Sequence, residues 1–547
     1  MKLVELLVKE SKTSLRRLAL MAVIAGGANA AVLAIVNHAA VALERGESQF
    51  YSIVLFGLAI SAYVYAQRYV LIVTTDEVEN IVHRHRRRLI DRLHRSELSG
   101  VEHIGRGLIF NAITADTQVI SQTASGLVLG AQAGILIVWA AIYLAAISPA
   151  SLLLTVMVLA VSAQIYRRKI RTVKAALQRA GMEQGQLHDL VSGVLEGFKE
   201  IKLSTRRAYA VIRDASEASA RTAAFRKQAQ RALATHFIFA QLSFFVLLGA
   251  VVFLMPALSP SYSETIMKTL TAVMFLIGPI SGVMTAVPQM AMANAAAENI
   301  ERLSLLLDAN LKEPEARTDE VGAPLTEQTF SRLDLHRVFF RHEQGENRFS
   351  VGPIDLTVRA GEVIFITGGN GSGKTTFLRL LTGLYPPASG EIVLDGIRID
   401  RERVQDYRNL FCGVFADFHL FPKLYGLPTP DPDEALRWTE HMEIADKVRI
   451  LPDRFSTVEL STGQRKRLAY IAAVLEEKPI VILDEWAADQ DPHFRAKFYN
   501  ELIPELKVLG KTVIAITHDD RYFHQADRRL HMDEGRLTEL YKEPVHE

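Results

Sequence analysis

Gly368-Gly369-Asn370-Gly371-Ser372-Gly373-Lys374-Thr375 satisfies the pattern G-x-x-x-x-G-K-[ST] at every fixed position. The apolar run Val363-Ile364-Phe365-Ile366 precedes it and reads as a buried strand; Phe377-Leu378-Arg379-Leu380-Leu381 follows and reads as a helix. Strand, loop and helix in that order are the context a phosphate-binding loop requires. Glycines let the backbone curl so that several N–H groups point at one phosphate chain, at the positive end of the helix dipole. In this pattern Gly368, Asn370, Gly371, Ser372 and Gly373 form the cradle. Lys374 reaches the β/γ-phosphates, the Thr375 hydroxyl holds Mg²⁺, and Thr376 continues the first turn. ATP and Mg²⁺ are the expected ligands.

Further along, Ile480-Val481-Ile482-Leu483 is another buried-strand run and ends in Asp484-Glu485. An acid at that strand end is placed to support Mg²⁺ with Thr375, and the next carboxylate to orient or deprotonate an attacking water. Lys511-Thr512-Val513-Ile514-Ala515-Ile516 is a third run, with His518 just beyond it. An imidazole there can bond a γ-phosphate and bridge to the base. Between these lies Leu460-Ser461-Thr462-Gly463-Gln464, opening a helix that continues Arg465-Lys466-Arg467. Its hydroxyl, glycine N–H and helix N-terminus make a second anion-binding surface. Two such surfaces serve one nucleotide only if a second copy supplies one of them, which predicts a head-to-tail homodimer closing on two ATP molecules.

The 547-residue length predicts more than one domain. Lys and Arg number 62 and Asp and Glu 61, a net charge of +1 that gives no argument for nucleic acid. The single Cys412 excludes a disulfide framework within the chain and reads as a buried small hydrophobe. The mixed-charge segment Met1 to Arg17 lacks a small-residue cleavage site, so the first apolar block reads as a retained span.

Six segments of the first half approach the roughly 20 apolar residues that cross a bilayer. They are Leu18–Leu43, Phe50–Val73, Leu127–Ile147, Ala150–Ile165, Ala232–Met255 and Ile266–Met290. Alternate loops are short and poor in Lys and Arg. The others are long and basic, with Arg84, Arg86, Arg87, Arg88, Arg92 and Arg95 in one, and Arg167, Arg168, Lys169, Arg171 and Lys174 in another. That asymmetry places the N-terminus, the long loops and the C-terminal half in the cytoplasm. The His/Arg run near residue 85 reads as a solvated face at the headgroup boundary rather than a metal or nucleic-acid site. Helical spacing continues through Asp76–Glu97 and Arg167–Leu190, so the spans extend past the membrane. Breaks at Gly105-Arg106-Gly107 and near Gly197 mark short transverse helices that contact a cytoplasmic motor, or ordinary loop. Asn37, His38, Gln132, His236, Gln241 and Gln289 fall inside spans, where they either line a cargo path or bond between helices. Pro279 and Pro288 are expected to kink the sixth span. The expected domains are 1–312, an α-helical transmembrane bundle; 313–328, a polar linker; and 329–547, an α/β P-loop nucleotide domain.

The order P-loop, L-S-x-G-Q, strand plus Asp-Glu, then His resembles the ATPase domain of ABC transporters. Six spans ahead of one such domain resemble an exporter half-transporter. A narrower match, Asp484-Glu485-Trp486-Ala487-Ala488-Asp489-Gln490-Asp491-Pro492-His493-Phe494-Arg495 with Gly368-Gly369-Asn370-Gly371-Ser372-Gly373-Lys374 and Val414-Phe415-Ala416-Asp417-Phe418, resembles the cyclic-peptide and siderophore-precursor exporters of Gram-negative inner membranes, which include the pyoverdine-precursor and microcin J25 exporters. The resemblance implies an ATPase that exports a peptide-type cargo: a siderophore precursor, cyclic peptide or lipopeptide. Export of lipid or small hydrophobic molecules, and an ATPase that signals without moving cargo, are the alternatives. It implies Glu485 as catalytic carboxylate, His518 as switch histidine, Asp484 as metal support, and Ser461, Thr462, Gly463 and Gln464 acting on the partner's ATP. Asp491 belongs to the loop crossing the dimer interface. Three positions depart from the family pattern. Ala416 stands where a glutamine senses the transmembrane domain, so either Asp417 takes over part of that role or coupling differs. His342 stands where an aromatic ring stacks on adenine. Thr462 replaces the first glycine of L-S-G-G-Q.

Overall fold

The computed structural model describes residues 15–44, 46, 48–254, 266–310, 329–341, 349–427 and 429–540. His342, the polar linker, the link before the last span and the basic residues Lys2, Lys9 and Lys12 lie outside the described residues. The chain forms two compact units, one of Met1–Asp91 with Arg106–Leu306, the other of Arg92–Gly105 with Leu307–Glu547.

The first unit is helical. Its long helices are Leu15–Glu44, Phe50–His94, Thr117–Ile147, Pro149–Glu196, Thr205–Gly249 and Ile277–Ala309. Among the described residues, five helical stretches are long and apolar enough to cross a membrane, and Pro149–Gln164 is a shorter apolar helix. The expected fourth span, Ala150–Ile165, opens the helix Pro149–Glu196, and its apolar stretch Pro149–Gln164 is shorter than the other five among the described residues. Apolar side chains point outward along the others, Ile53, Leu58, Val138 and Phe253 among them. No aqueous protein leaves so much apolar surface bare, whereas lipid makes it costless. Both helix breaks expected from the glycines are present. Gly105 (φ 84°) ends Leu98–Ile104, and Gly197 ends Pro149–Glu196 ahead of the six-residue helix Phe198–Leu203.

Helices approach closely where side chains are small. A Cβ on Gly130 would overlap that of Ala286, which joins Thr117–Ile147 to Ile277–Ala309. Two of the intramembrane polar groups bond between helices: Asn37 Nδ2 donates to the Tyr143 hydroxyl (3.0 Å), and Gln132 Oε1 accepts from Gln67 Nε2 (3.0 Å). In the last span the helix breaks at Leu276, three residues before Pro279, while Pro288 lies inside the continuous helix Ile277–Ala309. Pro279 lacks the N–H that would bond back across that break, so the turn costs it nothing. Pro288 interrupts no element.

The second unit is α/β. A four-stranded sheet runs β2-β1-β4-β5, with β1 Arg332–Arg341, β2 Ser350–Arg359, β4 Ser389–Leu394 and β5 Ile397–Arg398. A six-stranded sheet runs β10-β9-β3-β8-β7-β6, with β3 Val363–Thr367, β6 Phe411–Val414, β7 Ile480–Asp484, β8 Thr512–Ile516, β9 Arg528–Asp533 and β10 Arg536–Leu540. Neighbours from β9 to β6 are parallel, and only β10 is antiparallel. Strands covered on both faces must be apolar throughout, and β3, β7 and β8 are buried at every position. Alternate residues feed opposite cores: Val363 and Phe365 join Trp438, Tyr470 and Trp486, while Ile364 and Ile366 join Phe377, Leu381 and Leu530. Because the strands are parallel, their carboxyl ends share one edge, and every loop that follows them opens there.

Candidate functional site

β3 delivers the phosphate loop to that edge. The loop turns through Gly368 (φ 143°), Gly371 (φ 77°) and Gly373 (φ 106°), and Gly373 caps the helix Lys374–Leu381. Gly368 has no room for a side chain, since a Cβ there would overlap the Met532 carbonyl. Gly369, Asn370 and Gly371 are exposed at the tip, and Thr376 follows on the first helical turn. Lys374 is buried, and its ammonium donates to the carbonyls of Gly368 (2.9 Å) and Gly369 (3.0 Å). The loop thus folds over its own lysine. A hollow of about 420 Å³ lies over the loop, lined by Phe349, Ser372, Asp533 and Glu534.

Three groups converge from neighbouring strands. Thr375 Oγ1 donates to Asp484 Oδ2 (3.1 Å), and Lys374 Nζ stands 3.9 Å from Glu485 Oε1. The same Glu485 oxygen lies 3.2 Å from His518 Nε2. Glu485 holds a left-handed backbone (φ 47°, ψ 37°), a conformation that costs a residue with a side chain roughly 1–3 kcal/mol. Burial pushes the Asp484 carboxyl above the ordinary carboxylate range, although the Thr375 hydroxyl and the Ala416 N–H (3.4 Å) partly oppose it. Asp484 Oδ1 and Ser372 Oγ are buried with no hydrogen-bond partner among the described residues. An orphaned carboxylate oxygen beside a threonine hydroxyl offers the donors a hard cation takes, so Thr375 and Asp484 fit Mg²⁺.

Ser461 caps the helix Thr462–Val474. Its hydroxyl accepts from the Gln464 N–H (3.4 Å), and the Ser461 N–H donates to Gln464 Oε1 (3.2 Å), a reciprocal capping box. Thr462 occupies the first helical position and is exposed. Gly463 runs close to the next segment: a Cβ there would sit 2.9 Å from the Asp489 carbonyl, and Gln490 Nε2 donates to the Gly463 carbonyl (3.1 Å). Asp491 caps Pro492–Lys497 through the Phe494 N–H (3.0 Å) and accepts from Arg467 (2.9 Å). That backbone bond, with the guanidinium, holds the Asp491 carboxyl below its usual range. Among the described residues no hydrogen bond or ion pair joins Ser461–Gln464 to the phosphate loop.

Ala416 and Asp417 follow β6 at the same edge. Asp417 accepts from Arg379 Nη2 (2.9 Å), on the helix that the phosphate loop opens. The guanidinium also donates to the Tyr385 hydroxyl (2.8 Å) and to Glu102 (3.2 Å), and Tyr385 donates to Glu102 (2.7 Å). Glu102 lies on the short helix Leu98–Ile104. Arg379 and Tyr385 were not among the residues singled out from sequence. Nor was Phe349, whose ring abuts Gly373. A lone aromatic between Arg348 and Ser350, just ahead of a strand, was the one signal for it.

Residues 351–488 match the ABC transporter family model. The chain is 37% identical over 347 residues to the ATP-binding protein SyrD of Pseudomonas syringae pv. syringae, covering 62% of this chain and 61% of that one. It is 31% identical over 283 residues to the ATP-dependent lipid A-core flippase of Cupriavidus pinatubonensis, covering 49% and 46%. The chain thus spans about half to three fifths of the length of the curated relatives it matches. A solved bacterial Atm1-family ABC exporter with ATP bound superposes with a TM-score of 0.76 at 18% identity, over 96% of this chain and 95% of that one, a likeness of fold. Residues 351–488 are thus similar to the nucleotide-binding domain of ABC transporters, and the chain as a whole shares the fold of an ABC exporter, a helical N-terminal part ahead of an α/β domain.

Proposed function

We propose that the chain works as a homodimer that hydrolyses ATP to move a peptide-type cargo out of the cytoplasm across a bacterial inner membrane. The observation that carries the ATPase reading is the convergence of Lys374, Glu485 and His518 within 4 Å, beside the Thr375–Asp484 pair. Lys374 binds the β/γ-phosphates, exchanging its carbonyl partners for phosphate oxygens. Thr375 and Asp484 hold Mg²⁺, which when bound neutralises charge on the phosphates. The Glu485 carboxylate orients and deprotonates the attacking water, and His518 fixes that carboxylate and meets the γ-phosphate. His342, Asn370 and Phe349 belong to the nucleotide's binding surface. Ser461, Thr462, Gly463 and Gln464 close on the partner's ATP, and Asp491 belongs to the loop at the dimer interface. Domains 1–312 and 329–547 are joined by 313–328. Six crossings are proposed, the fourth supplied by Pro149–Gln164 as the start of a helix that continues to Glu196. Outward apolar faces meet membrane lipid. ATP closes the paired nucleotide domains, hydrolysis parts them, and the difference in ATP affinity between the two states drives alternating access.

The peptide reading rests on residues 368–374, 414–418 and 484–495, which resemble the cyclic-peptide exporters. A second reading, lipid export, is favoured by the relatives named as lipid A-core flippases. Inside-out vesicles containing the chain separate them. ATP-driven uptake of a cyclic peptide or lipopeptide, absent with Glu485→Gln although ATP still binds, supports the proposal. Movement of labelled lipid alone supports the second reading. Hydrolysis with neither cargo moving favours a signalling ATPase, and undiminished turnover in Glu485→Gln removes Glu485 as the catalytic carboxylate.

A further inference from the structure

Lys466 is buried on the helix Thr462–Val474, with its side chain only 5% exposed. Its ammonium donates to the main-chain carbonyl of Glu485 (2.8 Å) and pairs with Asp489 (2.8 Å). The Trp486 indole donates back to the Lys466 carbonyl (2.9 Å), so helix and turn grip each other in both directions. A buried ammonium has to be paired, and here its neutral partner is the peptide that carries the proposed base. That peptide is the one held left-handed, a conformation in which the glutamate has no intrinsic reason to stay. We propose that Lys466 is a positioning residue for Glu485. It fixes the carbonyl side of the left-handed turn and so aims the carboxylate at Lys374 and His518. Asp489, half exposed, holds the ammonium in place. Since Ser461 and Gly463 open the same helix, Lys466 also ties the surface that closes on the partner's ATP to the base of this chain's own site.

The inference rests on the ATPase reading, and its signature is a loss of turnover without loss of nucleotide. Lys466→Met keeps the length and apolar stem of the side chain and removes its charge. The full chain in nanodiscs is expected to lose about tenfold to a hundredfold in kcat, as misplacement near 1 Å does elsewhere, with ATP affinity by a fluorescent analogue changed less than about twofold. Asp489→Ala leaves a half-exposed gap that does not threaten the fold, and is expected to lower kcat about threefold to tenfold with affinity again unchanged. In a Glu485→Gln background Lys466→Met is expected to cost the residual turnover nothing more, since the group it aims is gone. Equal losses of affinity and turnover, or additive losses in that background, assign Lys466 a general structural role and overturn the proposal. If Lys466→Met does not fold, undiminished kcat in Asp489→Ala overturns it alone. A wild-type chain without Glu485-dependent hydrolysis removes the ATPase reading and the inference with it. Hydrolysis by wild type that both variants match removes only the inference.

Discussion

Asp484 sits on the last residue of a fully buried strand, with Glu485 and Asp417 nearby. Burial raises its carboxyl above the usual range, and those neighbours add to the effect against the Thr375 and Ala416 hydrogen bonds. The folded chain therefore holds this proton more tightly than the unfolded one. Its contribution to the stability of ligand-free protein is greatest below the ordinary carboxylate value and falls as pH rises through the raised folded value. Once that proton is lost, the buried charge strains the fold. Asp484→Asn is expected to raise the ligand-free melting temperature at pH 7, by about 2–4 °C for each kcal/mol relieved, and to abolish Mg²⁺-dependent hydrolysis. The gain is expected to shrink in acid; a melting point that falls at pH 7 contradicts the account. Asp484, Glu485, Lys374 and His518 were all legible from sequence, because each stands at a fixed offset from an apolar run that can only be a buried strand. Lys466 was not. Arg465-Lys466-Arg467 reads as one basic run, yet consecutive helical residues point 100° apart, and only Arg465 is exposed while Lys466 is buried. A charge pattern cannot say which of three lysines and arginines turns inward until the partner carbonyl is placed.

Elements show the same division. The long helices were legible because apolar runs of bilayer length have few alternatives, and their breaks because Gly105 and Gly197 interrupt helical spacing. The end of the fourth apolar stretch was not legible, because the boundary between a span and its extension within the helix Pro149–Glu196 carries no local mark. What Asp417 does beside Ala416 was also hidden, since its partner Arg379 lies far away in sequence. Arg379 joins Asp417, Tyr385 and Glu102, linking the phosphate-loop helix and the segment after β6 to the helix Leu98–Ile104. Leu98–Ile104 follows directly on Phe50–His94, the second candidate span. A charged hydrogen bond of this kind contributes about 1.5–3 kcal/mol when buried and less when half exposed, as Glu102 is. Glu102→Gln is expected to keep ATP affinity and basal hydrolysis within about twofold, while cargo moved per ATP falls about threefold to tenfold. Simultaneous measurement of phosphate release and vesicle uptake checks this. A proportional fall in both would make Glu102 part of the motor rather than of its link to transport.

At the scale of the whole molecule, the question is why one chain carries two anion-binding helix ends that no described contact joins. The phosphate loop opens Lys374–Leu381, and Ser461 opens Thr462–Val474 with its hydroxyl already engaged as a cap. A second copy in head-to-tail arrangement resolves this, because each nucleotide then meets one loop and one cap from different chains. Complementation tests the arrangement without any structure of the dimer. Lys374→Ala removes the phosphate ligand of its own loop but leaves the Ser461 cap intact. Ser461→Asp keeps an excellent N-cap, so the helix survives, but sets a negative charge against the partner's phosphate. Each homodimer is then dead at both sites for a different reason. Co-expressed in equal amounts, about half of the dimers are mixed. Every mixed dimer has one site with two defects and one with none, the intact loop of the Ser461→Asp chain facing the intact cap of the Lys374→Ala chain. Retention of nucleotide by the mixture is therefore expected to reach about a quarter of the wild-type level, counted as intact sites, where neither variant alone retains any. Were loop and cap to serve a nucleotide within one chain, every site in the mixture would carry a defect, and no retention would return at any ratio of the two variants.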